Sequence, residues 1–148
     1  MLEDNLTDPR WTWTISGSYC EPWQVSSPVL SGSNAFLCRE YNRLNFKSSY
    51  YEAHVVGNET NDFRYLDAWL YFKDPGAKID IKIYYNGGSI TTTISGSSVP
   101  VEEWLHYRFD LLNTPLKVPY GKQIQRLRFY DRAGDVYFDH IGFARKDS

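Results

Sequence analysis

Apolar and polar residues alternate with period two through most of this chain, the spacing of half-buried β-strands. Tyr65 to Phe72 is the clearest stretch. Leu66, Ala68, Leu70 and Phe72 fall on one face, and Tyr65, Asp67, Trp69 and Tyr71 on the other. Asp74-Pro75-Gly76 closes it with turn chemistry. From Lys78 to Tyr85, Ile79, Ile81 and Ile83 point one way while Lys78, Asp80, Lys82 and Tyr84 point the other. Asn86-Gly87 then signals a type I′ hairpin, with Ile90 to Ile94 as the returning strand. Trp104 to Leu111 sends Leu105, Tyr107, Phe109 and Leu111 inward. Ile124 to Asp131 sends Leu127 and Phe129 inward and Arg126, Arg128 and Tyr130 outward. Further strands are expected over residues 10–15, 35–38 and 50–56, and a loop over 113–121, which carries Pro115 and Pro119. About eight or nine short strands, each with one apolar face, predict an all-β fold: a single domain over 1–148 built as a two-sheet antiparallel β-sandwich.

The last strand, Val136 to Phe143, is apolar apart from Asp139 and His140. A carboxylate in a core strand is costly unless paired. Two partners suit Asp139: a bound cation, or an arginine such as Arg10, Arg132 or Arg145. A β-bulge at Asp139 is the third way to accommodate it.

Composition sharpens the picture on the outward faces. The chain has 148 residues, 17% of them aromatic, including 12 Tyr and 5 Trp. Tyr and Trp suit surfaces that must be apolar and hydrogen-bonding at once. The net charge of −2 gives no general attraction to nucleic acid or anionic membranes. No apolar run is long enough to span a bilayer. Asn5-Leu6-Thr7 and Asn58-Glu59-Thr60 are glycosylation sequons, and together with the aromatic surface they point to a secreted or extracellular protein. Cys20 and Cys38 are either a disulfide or two buried thiols; two cysteines do not decide it.

Sugar rings are bound by stacking aromatic rings on their C–H faces and hydrogen-bonding their hydroxyl rims. The outward residues have this make-up: Trp69, Tyr71 and Tyr65 with Asp67 from one strand, Tyr84 from the next, and His106, Arg108, Arg126 and Arg128 from others. Trp69 either lies open beside a groove or is covered by a long loop such as 16–34 or 112–122. If Lys82, Arg108, Arg126 and Arg128 line the groove, uronate or sulfated glycans become reasonable ligands. Asp67, Asp80 and Asp110 on similar faces would offset that field, which keeps neutral glucans, xylans and mannans open.

Three segments carry a family resemblance: Leu2-Glu3-Asp4 leading to Trp11-Thr12-Trp13, then Val101-Glu102-Glu103-Trp104 before His106 to Asp110, and finally Leu127 to Asp131 followed by Val136-Tyr137-Phe138-Asp139-His140-Ile141. In this order they resemble the galactose-binding-like jelly rolls, which include many carbohydrate-binding modules of polysaccharide-degrading enzymes. The resemblance implies a jelly-roll sandwich whose concave face can hold a glycan chain. It implies a structural Ca²⁺ at the sandwich edge, held at positions matching Glu3, Asp139 and Ser33 or Asn34. It also implies a site at the sandwich tip; Trp23, in a turn-rich segment after Cys20, either serves that site or folds over a sandwich edge. Hard cations take carboxylate and carbonyl oxygens, so the donor types suit.

Catalytic signatures are missing. No Gly-rich phosphate loop, Gly-x-Ser-x-Gly elbow or His-Glu-x-x-His helix occurs. The three histidines, His54, His106 and His140, sit in separate expected strands. Glu102-Glu103 cannot flank a scissile bond alone, because strand neighbours face opposite ways. The sequence therefore predicts a non-catalytic carbohydrate-binding module of a larger secreted or surface protein. Alternatives are a protein-interaction or adhesion sandwich and, with less support, a small polysaccharide hydrolase or a lyase using His106 with Tyr84.

Overall fold

A computed structural model describes residues 11–16, 20–25, 27–28, 35–38, 43–48, 55–57 and 62–145. Ten strands run through them: β1 (Trp11–Ser16), β2 (Cys20–Val25), β3 (Ala35–Cys38), β4 (Arg43–Ser48), β5 (Phe63–Phe72), β6 (Lys78–Tyr85), β7 (Gly88–Ser95), β8 (Trp104–Asp110), β9 (Ile124–Ala133) and β10 (Val136–Arg145). They form two five-stranded sheets, β1-β4-β9-β6-β7 and β2-β3-β10-β5-β8. All strand pairs are antiparallel. The expected two-sheet antiparallel sandwich is the observed one.

The inward positions are those the alternation selects. Leu66, Ala68, Leu70 and Phe72 of β5 and Ile79, Ile81 and Ile83 of β6 are fully buried. They meet Leu127 and Phe129 of β9 and Val136, Phe138 and Ile141 of β10. Phe129 and Phe138 come from different sheets and touch across the interior, with ring centroids 4.8 Å apart and planes at 56°. The connection after β8 also contributes to the core. Leu116 and Val118 are fully buried, and Val118 N–H donates to the Leu111 carbonyl at 2.7 Å. The expected loop is present, and it buries Leu116 and Val118 in the core.

Two strands go beyond the sequence expectation. β2 contains Pro22, which lacks a ladder donor, and it occupies a sheet edge where that loss is tolerated. Its ladder with β3 is irregular between Glu21 and Val25, which hides the alternation. β4 is short and rich in Arg, Asn and Lys, yet it pairs on both sides in the first sheet. The strand expected over 50–56 lies mostly outside the described residues; Val55 and Val56 within it make isolated bridges to Gln123 and Phe63. The β2–β3 ladder sets Cys20 directly opposite Cys38.

Candidate functional site

The outward residues form two surfaces, not one. The turn at Asp74–Ala77 carries the chain from the second sheet to the first, so β5 and β6 lie in different layers. Tyr65, Asp67, Trp69, Tyr71, His106 and Arg108 share the outer face of β5 and β8. Tyr84 and Arg126 share the outer face of β6 and β9 on the opposite side of the molecule. The expectation that Tyr84 and the β9 arginines join the Trp69 surface is thereby corrected. A period of two separates inside from outside but does not say which sheet a strand joins. The same geometry separates His106 from Tyr84 and removes the lyase pairing.

On the β5–β8 face the polar groups are committed to one another. Asp67 is 4% exposed. It accepts from Arg108 Nε at 2.9 Å and Nη2 at 3.0 Å, and its Oδ1 lies 3.1 Å from His106 Nε2. His106 lies flat against Trp69, with centroids 4.7 Å apart and planes at 9°. The Arg108 guanidinium sits 4.4 Å from the Tyr65 ring. Tyr71 packs against Trp104 and edge-on against Tyr137. Trp69, Tyr65 and Tyr71 are each partly exposed, so the rings are neither sealed nor free-standing.

At the end of this face Arg64 grips Asp110 with two bonds, 2.6 Å from Nε and 2.8 Å from Nη2. That bonding, helped by the Leu112 N–H and the Asn113 amide, holds the Asp110 carboxyl down to about 2 from its ordinary 3.8. A depressed carboxylate adds stability that is fully present above the unfolded value and lost as pH falls through the folded one. Urea midpoints are thus expected to drop as pH falls from the ordinary value towards about 2. Asp110→Asn is expected to remove that part of the acid slope at a cost of about 1 kcal/mol at neutral pH, since both partners meet solvent. An unchanged slope would show that the pair contributes nothing.

The β6–β9 face is organised differently. Lys82 Nζ and the Arg126 guanidinium each lie 4.7 Å from the centre of the Tyr84 ring, and the Arg128 guanidinium lies 5.7 Å away. Register extends this surface in rows. Arg126 stands opposite Tyr84 and Lys47, Arg128 opposite Lys82 and Asn45, and Tyr130 opposite Asp80 and Arg43. Ser89, Thr91 and Thr93 complete the rows on β7, and Thr12, Thr14 and Ser16 on β1. Asp80 is the one acid in these rows. It accepts from Thr93 Oγ1 at 2.6 Å and from Arg132 Nε. Tyr120, which sequence reading did not single out, is 61% exposed in the connection before β9. Pro119-Tyr120-Gly121 was the available signal, an aromatic at a turn tip with Gly121 at φ +80°.

Trp23 lies within edge strand β2, not in a loop. Asp139 is 1% exposed and stands opposite Trp69 on β5. The ladder slips immediately after it, His140 takes φ +49°, and Asp139 Oδ1 accepts the His140 N–H at 2.9 Å. The bulge foreseen as one explanation of this buried acid is present. Glu3 and Ser33 lie outside the described residues. Among the described residues no group of three His, Cys, Asp or Glu is arranged to hold a metal. Of the positions expected to hold Ca²⁺, Asp139 alone lies among the described residues.

Solved structures share this architecture. A C-terminal family 22 carbohydrate-binding module of Clostridium thermocellum superposes with a TM-score of 0.59 at 13% identity, covering 97% of this chain and 90% of its own. A xylan-binding domain of family 22 gives 0.59 at 13% identity over 99% and 93% of the two chains. A family 11 module from Clostridium thermocellum, in complex with a β-1,3-1,4-mixed-linked tetrasaccharide, gives 0.52 at 13% over 98% and 94%. At such identities the likeness establishes the fold: this chain has the β-sandwich of the carbohydrate-binding modules. No protein-family model matches the chain, and no curated sequence matches it.

Proposed function

We propose that the chain is a non-catalytic module that binds a polysaccharide or glycan on the outer face of β6 and β9, within a larger extracellular protein. The observation that carries this reading is the Tyr84 surface: an aromatic ring ringed by Lys82, Arg126 and Arg128, in rows otherwise filled mainly by hydroxyl and amide residues. Such a surface offers many hydrogen-bond donors to a hydroxyl-rich chain, and a sheet face holds them in fixed register. The neighbouring folds support it, since one is named for binding xylan and another holds a tetrasaccharide. One structural neighbour joins a family 22 module to a catalytic module in a single chain, which supports a modular parent.

The Trp69 face is the second reading. It is favoured by a partly exposed indole beside His106 and Arg108, whose side chains are 43% and 38% exposed. Here Trp69, Tyr71 and Tyr65 would meet sugar rings, and Asp67 would act by fixing His106 and Arg108.

Affinity electrophoresis through gels containing neutral and acidic polysaccharides tests both readings. The wild-type chain is expected to be retarded by at least one of them. Tyr84→Ala is expected to weaken that retention by about tenfold or more, roughly the value of one aromatic contact with its neighbours. Its melting temperature should stay close to that of wild type. Loss on Trp69→Ala with Tyr84→Ala unaffected would move the site to the second sheet. Free migration in every gel would overturn glycan binding.

A further inference from the structure

We infer that the saccharide held on the β6–β9 face is anionic, carrying carboxylate or sulfate groups. This names the ligand class of the site proposed above and rests on that proposal.

The described acids nearest these cations are bonded elsewhere. By sequence, Asp67, Asp80 and Asp110 could each neutralise the outward arginines. The structure gives each acid a different arginine. Asp67 is gripped by Arg108, Asp110 by Arg64 and Asp80 by Arg132. None of the three partners belongs to the Tyr84 cluster. Asp67 and Asp110 lie in the other sheet, and Asp80, two residues from Lys82, is already committed to Arg132 and Thr93. Lys82 and Arg128 have no carboxylate partner among the described residues. The Arg128 Nε is buried with no hydrogen-bond partner.

The ladder adds no relief. Opposite Arg126 and Arg128, β4 supplies Lys47 and Asn45; opposite Tyr84 and Lys82, β7 supplies Ser89 and Thr91. Like charges on neighbouring strands repel, and cation–π contact with Tyr84 offsets only part of that repulsion. A chain of net charge −2 has thus set Lys82 and Arg128 side by side on one sheet face with no carboxylate on either among the described residues. An anion at this place would relieve the repulsion. A uronate carboxylate or a sulfate can accept two bonds from the terminal nitrogens of one guanidinium, while Lys82 supplies a point charge. Tyr84 then serves as the pillar that holds the three cations in position.

The test measures affinity for polygalacturonate, its methyl ester, dextran sulfate, neutral xylan and inorganic polyphosphate at two salt concentrations. Polygalacturonate or dextran sulfate is expected to bind at least about tenfold tighter than the methyl ester and xylan, with the advantage shrinking as salt rises. Whichever of the two anionic glycans binds tighter identifies the group. The Lys82→Gln/Arg128→Gln double variant is expected to lose that advantage, and the single Lys82→Gln variant to lose part of it; circular dichroism confirms that both remain folded. Equal binding of ester and acid, or an undiminished preference in folded double variant, overturns the inference. Polyphosphate binding as tightly as the anionic glycans also overturns it, since the face would then be a general polyanion patch. Retention by neutral xylan alone, lost on Tyr84→Ala, would sink the inference and leave glycan binding standing. No binding to any glycan would sink both.

Discussion

Replacing Phe129 by alanine is expected to lower the free energy of unfolding by about 4 kcal/mol, within the 3–5 kcal/mol range for a buried Phe. Phe129 is fully buried and faces Phe138 across the interior at 4.8 Å. It is therefore one of the places where the two sheets hold each other directly. Its neighbours in the ladder, Leu44 on β4 and Ile81 on β6, are fixed by register. Strands fixed from both sides cannot collapse far into the space left by the ring, so the cavity cost adds to the lost burial. Against a typical domain stability of about 5–15 kcal/mol, such a loss brings the fold close to its limit. Urea denaturation followed by circular dichroism reads the change. A shift below about 1 kcal/mol would mean that the sheets do not depend on this contact.

The second large effect is expected at Gly96. A Cβ there would stand 2.5 Å from the Asp74 carbonyl oxygen and 3.1 Å from the Ala77 carbonyl oxygen. Both obstacles are backbone, and the Gly96 N–H already donates to Ala77 at 2.7 Å. No rotamer change can make room, so the turn linking the two sheets must move. Gly96→Val is expected to cost about 3 kcal/mol, at the upper end of ordinary overpacking. Gly87→Ala is the comparison. Gly87 has φ +102° but nothing within 4 Å of the added carbon, so backbone strain of about 1–2 kcal/mol is the whole cost. Equal losses in the two variants would show that crowding at Gly96 is relieved without difficulty.

Much of the fold was legible because burial imposes a period of two. β5, β6 and β9 keep that period, and their inward sets are the ones the sequence selects. β2 was hidden by Pro22 and an irregular ladder, and β4 by a basic composition that reads as solvent-exposed. What the pattern could not supply was the layer to which each strand belongs. Trp69 and Tyr84 are both outward, yet they face opposite sides of the molecule. The pairing of acids with arginines was equally invisible. Asp67, Asp80 and Asp110 looked like a diffuse counterweight to the basic residues. In the fold Asp67 takes Arg108, directly opposite it in the ladder, while Asp110 takes Arg64 and Asp80 takes Arg132, and none of these arginines belongs to the Tyr84 cluster. The bulge after Asp139 was foreseen as a possibility because an acid in an apolar strand needs a local reason. Tyr120 was missed because a single turn aromatic carries no periodic signal.

The turns at opposite ends of β6 differ in the room around them. Beside Ala77, the backbones of Gly96 and Gly134 approach so closely that an added carbon at either would meet main-chain atoms within 3 Å. The hairpin tip at Gly87 meets nothing. Lengthening the chain is consequently tolerable at one pole and not at the other. Extra residues spliced between Asn86 and Gly88 would hang over solvent only a few positions from Tyr84, where they could lengthen the reach of that surface without disturbing the seam between the layers.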